Sequence, residues 1–186
     1  MPDGDLFRAI RRGDAEVVTD TITGFTADGV VLASGTNLPA DLVVTATGLQ
    51  VLPFGGITVT VDGHEVKLPE TMAYRALMLS GVPNFVFTIG YTNASWTLKA
   101  DLVADYFCRL VGHVDEHGYR FFVADRDPTI TEVPLMDFTS GYVVRALAHL
   151  PKGGDREPWK LRQNYPYDVR TICRGPLEDG TLRFAR

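Results

Sequence analysis

One apolar segment, residues 41–48, limits the folds available to this chain more than any other. It reads Asp-Leu-Val-Val-Thr-Ala-Thr-Gly, and its centre is nearly continuously apolar. Such a run is typical of a parallel strand that is covered on both faces. The segment predicts an α/β fold with a ligand near Thr47 and Gly48, because ligands gather where strands end in open α/β sheets. A tight turn that needs glycine for its backbone is an equal alternative.

Hydrophobic periodicity predicts three helices and several further strands. The clearest helix covers residues 95–116, where apolar residues recur at helical spacing before a stop at Gly118. Shorter helices are predicted at residues 5–12 and 140–150, and further strands at residues 16–20, 29–34, 57–61, 84–90 and 121–124. From residue 155 onward, the prolines predict irregular, packed coil.

Composition and charge exclude several function classes. Hydrophobic residues make up 45% of the 186 residues and charged residues 22%, so a packed core is expected. The net charge is −5 and the basic residues are scattered, which argues against binding to nucleic acid or to an anionic membrane surface. No apolar run approaches the roughly 20 residues of a spanning helix, and no signal peptide is visible. Cys108 and Cys173 are too few and too distant for a disulfide framework, so a soluble, cytoplasmic protein is expected.

Several single residues are weak functional candidates. His113 and His117 lie four apart, as zinc ligands do, but no third ligand accompanies them, so solvated side chains and no metal are predicted. Lys99 is expected to pair with a nearby acid. Trp159 and Tyr165 either line a substrate cavity or pack in the core. Cys108, which falls within the long helix, is expected to pack on the apolar face of that helix.

The turn Gly90-Tyr-Thr-Asn-Ala-Ser95 is the strongest candidate ligand site. It precedes the long predicted helix, and a helix N-terminus presents unpaired N–H groups and a partial positive charge. Glycine at its start permits close approach of a ligand. Three of its side chains offer donors or caps, namely Thr92, Asn93 and Ser95. From spacing alone, the favoured interpretation is structural: a polar side chain caps the helix, and Trp96 packs in the core.

Three segments together resemble a known family. Residues 40–49 resemble the D-x-V-V-x-A-T-G strand of flavoproteins with two dinucleotide-binding domains. Residues 81–99, which read Gly-Val-Pro-Asn-Phe-Val-Phe-Thr-Ile-Gly-Tyr-Thr-Asn-Ala-Ser-Trp-Thr-Leu-Lys, resemble the strand and helix that return such chains to the flavin. The third segment, residues 138–145 followed by residues 158–165, is similar to the C-terminal region of the ethionamide-activating subgroup. From residue 2 to its end, the chain resembles the latter part of a class B flavin-dependent (Baeyer–Villiger) monooxygenase.

The resemblance implies a fold: the C-terminal part of a flavoprotein with two dinucleotide-binding domains and incomplete Rossmann-type sheets. Residues 1–50 would end the NAD(P)H-binding domain, and residues 51–118 would supply returning strands and the long helix of the FAD-binding domain. Residues 119–186 would form a C-terminal, substrate-side region. The sequence contains neither GxGxxG nor GxxxxGK[ST], so the phosphate-binding turns of the family are expected upstream.

The resemblance also implies a reaction in which FAD and NADPH insert one oxygen atom from O2 into a ketone or a sulfide. It places four residues near the isoalloxazine, Asn93, Ala94, Ser95 and Trp96, and two near the junction of the nucleotide domains, Thr47 and Gly48. Gly90 and Thr92, from the same turn, complete the predicted cofactor-binding residues. It implies no catalytic residue in this chain, because the family's catalytic arginine would lie upstream of Met1. The chain alone is expected to be inactive. The alternatives are a non-catalytic remnant, or a subunit that self-associates or complements a separately encoded N-terminal half.

Overall fold

Caps and glycines set the bounds of the helices. The structure, a computed structural model, describes residues 2–186. Its α-helices are α1 (Asp5–Arg12), α2 (Trp96–His117), α3 (Gly141–Ala146) and α4 (Tyr165–Asp168). Short 3-10 turns cover Pro2–Gly4, Pro53–Gly56, Leu68–Glu70 and Leu147–His149, and a π-helical turn follows α4 at Val169–Cys173. Helices α1 and α2 each end at a glycine in the left-handed conformation, Gly13 and Gly118.

Short strands form five small sheets within residues 2–186. The strands are β1 (Ile22–Thr26), β2 (Gly29–Leu32), β3 (Asn37–Pro39), β4 (Thr60–Val61), β5 (His64–Glu65), β6 (Ala73–Tyr74), β7 (Met78–Leu79), β8 (Phe121–Ala124), β9 (Glu132–Pro134), β10 (Lys152–Gly154) and β11 (Leu182–Ala185). The sheets are β1–β2–β3, β4–β5, β6–β7, β8–β11 and β9–β10, and each of these pairings is antiparallel. The chain is therefore a mixed α/β protein with small sheets.

The chain divides into two compact units, of which the first ends at Thr47. This unit contains α1 and the sheet β1–β2–β3. A Cβ atom on Gly29 would lie 2.0 Å from the Leu38 carbonyl oxygen, so only glycine lets β2 and β3 approach each other here. The helix predicted at residues 5–12 is confirmed, and the strand predicted at residues 29–34 is confirmed over its first four residues.

The strand predicted at residues 16–20 is wrong, because β1 begins only at Ile22. The Asp20 carboxylate accepts hydrogen bonds from the Thr21 N–H at 2.6 Å and from the Ser34 N–H at 3.2 Å. Local bonds between a side chain and the backbone compete with strand pairing. Asp20 therefore forms a turn at a position where the sequence pattern favoured a β-strand.

The parallel strand predicted at residues 41–48 is also wrong. These residues have no regular secondary structure, and Leu42 and Val44 are 81% and 80% exposed. A strand that is buried on both faces needs neighbours on both edges. None of the strands described within residues 2–186 pairs with this segment. The apolar run is therefore an unpaired and exposed stretch.

The second unit, Gly48–Arg186, is built around α2. The helix predicted at residues 95–116 is confirmed, with Ser95 as its N-terminal cap and Gly118 at its C-terminus. Its buried residues are Lys99, Leu102, Val103, Tyr106 and Leu110. Cys108 is exposed, so the prediction that it packs on the apolar face is wrong. The buried stripe is narrower than the run of apolar residues in α2.

The main hydrophobic cluster of this unit joins α2 to strands and to residues 155–186, which we call the tail. Its buried members are Met72, Tyr74, Leu77, Met78, Leu102, Val103, Tyr106, Leu110, Phe122, Ala124, Ile130, Trp159, Ile172 and Leu182. A second cluster of buried residues comprises Ala73, Leu79, Val82, Phe87 and Leu135. Both clusters lie entirely within the second unit, so this unit has its own core.

The strand predicted at residues 84–90 does not form, although its side chains pack. Asn84 has a left-handed backbone (φ 55°) and bonds twice to Phe122: its N–H donates to the carbonyl oxygen at 3.0 Å, and its Oδ1 accepts from the N–H at 3.1 Å. Phe87 lies edge-on to Phe54, with ring centroids 5.0 Å apart. Separate bonds to different segments replace the continuous ladder of a strand.

The tail is more regular than predicted. Helix α4 and its π-helical turn cover residues 165–173, and β11 pairs with β8. Pro166 lies in the first turn of α4, where its missing N–H costs no hydrogen bond. Asn164 caps the helix by accepting from the Tyr167 N–H at 2.9 Å. The prediction of irregular coil is wrong here, because proline starts a helix instead of excluding one.

The remaining predicted elements are present in part. Strand β8 confirms the strand at residues 121–124. Helix α3 and the 3-10 turn after it lie within the helix predicted at residues 140–150. Strand β4 covers only the last two residues of the strand predicted at residues 57–61, and the turn after it contains Asp62 and Gly63 as expected.

Raising the pH above about 10 is expected to destabilise the second unit. Tyr74 and Tyr106 are fully buried, and burial raises the pKa of both phenols above the unfolded value. Their contribution to stability is complete below pH 10 or so and is lost as the pH rises toward the folded-state pKa, because only the unfolded chain then releases protons. Each tyrosine should lower the unfolding free energy by about 1.4 kcal/mol per pH unit.

Urea unfolding measured across the range of about pH 9 to 11 tests this expectation. Tyr106→Phe should remove the contribution of one tyrosine to the fall of the unfolding free energy with pH. An unfolding free energy that stays level above pH 10 or so in the wild-type chain would contradict the prediction.

Candidate functional site

The turn that precedes α2 exposes most of the predicted site residues. Four consecutive residues are exposed, namely Thr92, Asn93, Ala94 and Ser95. Ser95 Oγ accepts a hydrogen bond from the Thr97 N–H at 3.3 Å, so Ser95 does cap the helix. The first turn of α2 carries no acidic residue that would offset the partial positive charge of the helix N-terminus. This surface is suited to a ligand group that carries negative charge.

Trp96 lies over Gly90 on the surface. A Cβ atom on Gly90 would stand 2.2 Å from the indole Cγ, so any side chain there would displace the ring. Trp96 is 60% exposed, so the interpretation from spacing alone, in which it packs in the core, is wrong. Glycine makes room for an indole in this turn. An exposed indole beside a helix N-terminus can pack against a planar ligand.

The tail holds the exposed part of the turn from one side. The Thr92 N–H donates to Gln163 Oε1 at 2.8 Å. The Asn93 side-chain amide donates to the Gln163 carbonyl oxygen at 3.1 Å. Two neighbouring residues of the turn are thus bonded to one residue of the tail, Thr92 through its backbone N–H and Asn93 through its side chain.

A buried triad of Tyr91, Lys99 and Asp168 holds the turn from beneath; we call it the anchor triad. Asp168 Oδ2 accepts a hydrogen bond from the Tyr91 hydroxyl at 2.6 Å and from Lys99 Nζ at 2.9 Å. The Lys99 and Asp168 side chains are only 2% and 7% exposed. The prediction that Lys99 pairs with an acid is confirmed.

Burial shifts the titration of two members of the anchor triad. It raises the pKa of the Tyr91 phenol, and the bond to Asp168 acts in the same direction. It lowers the pKa of Lys99, while the Asp168 carboxylate opposes that shift. The carboxylate is therefore what favours a charged lysine at this depth.

Sequence reasoning missed Asp168 and Gln163. Lys99 carries a local signal, since it falls in the buried stripe of α2 and a buried lysine is almost always paired. Its partner, however, is 69 residues away along the chain. No spacing rule connects such positions, so the partner could be found only in the folded structure.

Thr47 and Gly48 are the last residue of the first unit and the first residue of the second. Gly48 has φ 90°, a conformation that favours glycine. A Cβ atom on Gly48 would be 3.4 Å from the Tyr142 side chain. These facts support the turn interpretation of Gly48, and a ligand near Thr47 and Gly48 stays a prediction.

The histidine pair has a structural environment. His113 Nε2 lies 3.0 Å from Glu178 Oε1, and its ring packs against Phe184 and His117. His113 is only partly exposed, so the prediction of a solvated side chain is wrong for it, whereas His117 is exposed. Within residues 2–186 no group of three or more potential ligands is placed to hold a metal ion.

The two aromatic residues of the tail have different surroundings. Trp159 is 1% exposed and meets Tyr74 edge to face, with ring centroids 5.8 Å apart, so it is a core residue. Tyr165 is 39% exposed and lies edge-on to Tyr91 at 6.3 Å. Of the two alternatives open for Trp159, core packing is therefore the one that the structure supports.

The chain is similar to several curated proteins along its whole length. It is 56% identical over 187 residues to the FAD-containing monooxygenase EthA of Mycobacterium tuberculosis, which covers 100% of this chain and 38% of the relative. It is 50% identical to EthA of Mycolicibacterium smegmatis, with the same two coverages of 100% and 38%. It is 44% identical to the probable FAD-binding monooxygenase AlmA of Acinetobacter baylyi, over 99% of this chain and 37% of that protein.

The chain thus spans little more than a third of the length of these relatives, 38% in the case of EthA. No family model matches it. Among the helices described in residues 2–186, none is both long enough and apolar enough to cross a lipid bilayer.

Proposed function

We propose that this chain, which belongs by sequence to the group of FAD-containing monooxygenases, forms the C-terminal part of such an enzyme and supplies one side of its flavin site. The observation that carries the proposal is the identity of 56% over the whole chain to a protein named for bound FAD and monooxygenase activity. The exposed turn before α2 supports it, because that turn offers features that one edge of a flavin requires.

The turn suits the pyrimidine edge of a flavin ring. Negative charge accumulates on that edge when a flavin is reduced, and the N-terminus of α2 presents N–H groups and a partial positive charge toward it. Thr92 and Asn93 add polar groups, and the exposed indole of Trp96 adds a flat apolar surface. In this proposal the chain binds and orients the ring and stabilises its charge.

The reaction proposed for the complete enzyme is the transfer of one oxygen atom from O2 to a ketone or a sulfide in the cytosol. Bound FAD would supply the redox chemistry, with NADPH as its electron donor. The residues of this chain contribute orientation and charge stabilisation and no acid, base or nucleophile. The catalytic cation of the reaction is proposed to belong to another part of the enzyme.

The part of FAD beyond the flavin ring must be bound by a segment outside this sequence, in this proposal. The sequence contains no GxGxxG turn, which is what holds the pyrophosphate of FAD in dinucleotide-binding folds. Leu42 and Val44 are 81% and 80% exposed, and they lie in an apolar run that another polypeptide segment could cover. We therefore propose that the chain is inactive alone and works together with an N-terminal part. The second candidate is a non-catalytic remnant that has lost this partner.

Reconstitution separates these two candidates. The chain is purified alone and then mixed with the part of the Mycobacterium tuberculosis relative that it does not match, supplied as a separate polypeptide. Bound FAD is measured by its absorbance, and NADPH oxidation is measured with a cyclic ketone or a thioether present. The proposal expects little FAD on the chain alone, and bound FAD with substrate-dependent oxidation in the mixture. If the mixture binds no FAD, the result favours the remnant. If the chain alone is fully active, the proposed dependence on a partner is wrong.

Trp96→Ala is expected to weaken FAD binding about 10-fold in the reconstituted enzyme, because an aromatic contact with the ring is lost. Gly90→Ala should have a similar effect, since its methyl group would displace the indole. Gly112→Ala is the matched control: a Cβ atom there meets nothing within 4 Å, and alanine favours the helix. Equal FAD affinity in all three variants would count against the proposed flavin contact.

A further inference from the structure

We propose that Asp168 is a positioning residue for the flavin-facing turn: one oxygen of its carboxylate holds both Tyr91 and Lys99 and thereby sets the backbone of residues 92–95. The inference deepens the proposed function and rests on it, because it assigns to the tail the task of shaping the proposed flavin contact.

The geometry of the anchor triad brackets the turn. Tyr91 directly precedes the exposed residues and Lys99 follows them one helical turn later, and both bond to Asp168 Oδ2, at 2.6 Å and 2.9 Å. The two ends of the exposed turn are thus tied to the same atom. Lys99 Nζ also lies 5.8 Å from the centroid of the Tyr91 ring, so the two anchored side chains contact each other.

A second set of bonds acts on the same residues. Gln163 binds Thr92 and Asn93, as described above, and Asn164 caps the helix α4 that ends at Asp168. The tail therefore contacts the turn at its exposed centre through Gln163 and at its buried ends through Asp168. A change in the tail would reach the proposed ligand surface through two independent contacts.

Asp168 acts from behind the turn and does not meet the ligand. The cavity beside Lys99 and Asp168 has a volume of about 70 Å³. That volume admits a water molecule or two, whereas sites for ligands of flavin size are typically ~300–1,000 Å³. With Asp168 almost fully buried, its influence on the flavin must pass through Tyr91 and Lys99.

The charges of the anchor triad make the role testable. Removing one partner of a buried ion pair leaves an uncompensated charge, whereas removing both charges while keeping the shape is far better tolerated. Asp168→Asn keeps an acceptor oxygen for Tyr91 and leaves the charge of Lys99 without a counter-charge. The double variant Lys99→Met, Asp168→Asn removes both charges and keeps the bond to Tyr91.

The experiment compares these variants in the reconstituted enzyme. Hydrogen exchange is measured at the Thr92 amide, which is bonded to Gln163, and at the amides of β8, and FAD affinity is measured by titration. Asp168→Asn should speed exchange in the turn about 10- to 100-fold, leave β8 unchanged and weaken FAD binding about 10-fold. The double variant should recover part of both losses, because no charge is left unpaired, and not all of them, because methionine at position 99 cannot bond to residue 168. Asp125→Asn, which removes an exposed acid, should change neither reading.

Four results would overturn the inference. The first is unchanged exchange in the turn of a folded Asp168→Asn protein. The second is equal loosening of the turn and of β8, which would indicate a general loss of stability. The third is a looser turn with unchanged FAD affinity, and the fourth is a double variant that recovers nothing. If the wild-type assembly itself binds no FAD, the proposed function fails, and the exchange data still decide whether Asp168 positions the turn.

Discussion

Trp159→Ala is expected to lower the free energy of unfolding of the second unit by about 3–5 kcal/mol. The indole is 1% exposed and meets Tyr74 edge to face in the main hydrophobic cluster. The side chains around Trp159 are closely packed, because a Cβ atom on Gly154 would lie 2.5 Å from Trp159 Cβ and 2.7 Å from Ile130 Cγ2. A cavity of indole size could not close without moving several segments. Urea unfolding followed by circular dichroism measures the loss.

The second tryptophan provides the matched control. Trp96 is 60% exposed, so Trp96→Ala should change the unfolding free energy by no more than about 0.5 kcal/mol. The same variant is the one expected to weaken FAD binding. The two tryptophans should thus separate, one affecting stability and the other affecting ligand affinity. Similar unfolding midpoints for the two variants would contradict the expected contribution of buried Trp159 to stability.

Asp179→Ala is expected to cost about 3–5 kcal/mol, because four hydrogen bonds meet at this carboxylate. Oδ2 accepts from the Tyr74 hydroxyl at 2.7 Å and from the Arg75 guanidinium at 2.8 Å. Oδ1 accepts from the N–H groups of Thr181 and Leu182 at 2.9 Å and 3.2 Å. Both members of the ion pair with Arg75 are only 13% exposed. Alanine would therefore leave a guanidinium and a phenol without their partner.

Asp125→Ala tests whether burial is the cause. Asp125 also pairs with an arginine, Arg183, at 2.6 Å, but the two side chains are 50% and 54% exposed. Solvent screens such a pair, so the variant should cost no more than about 1 kcal/mol. Thermal unfolding of the two variants gives the comparison. A loss for Asp125→Ala as large as that for Asp179→Ala would refute the importance of burial at the Asp179 site.

Helices were predictable where local cues were complete. Helix α2 has a capping serine, a buried stripe at helical spacing and a terminal glycine, and all of these act within the helix itself. The short helix α1 ends at Gly13 for the same reason. The turn at residues 90–95 could be singled out in the same way, because its exposure follows from its place at a helix N-terminus.

Strands and long-range pairs were not predictable in the same way. Residues 41–48 have the composition of a buried strand, but a strand exists only where another segment offers backbone groups to pair with. Asn84, with its left-handed backbone, bonds to the edge of β8 and starts no ladder. Asp168 and Gln163 carry no local pattern that points to the turn before α2. Their role depends on contacts between segments about 70 residues apart, such as the one between Lys99 and Asp168.

The attachment of the turn to the tail has a consequence for protein engineering. Directed evolution of an oxygenase usually starts with residues that line the ligand. Here Gln163 bonds to residues of the turn, and Asp168 bonds from beneath to Tyr91, which precedes its exposed residues. If the proposed flavin contact is correct, a mutant library that varies residues 163–168 should change FAD affinity and leave every proposed contact residue intact. The tail is thus a second, indirect place from which selection can tune the same chemistry.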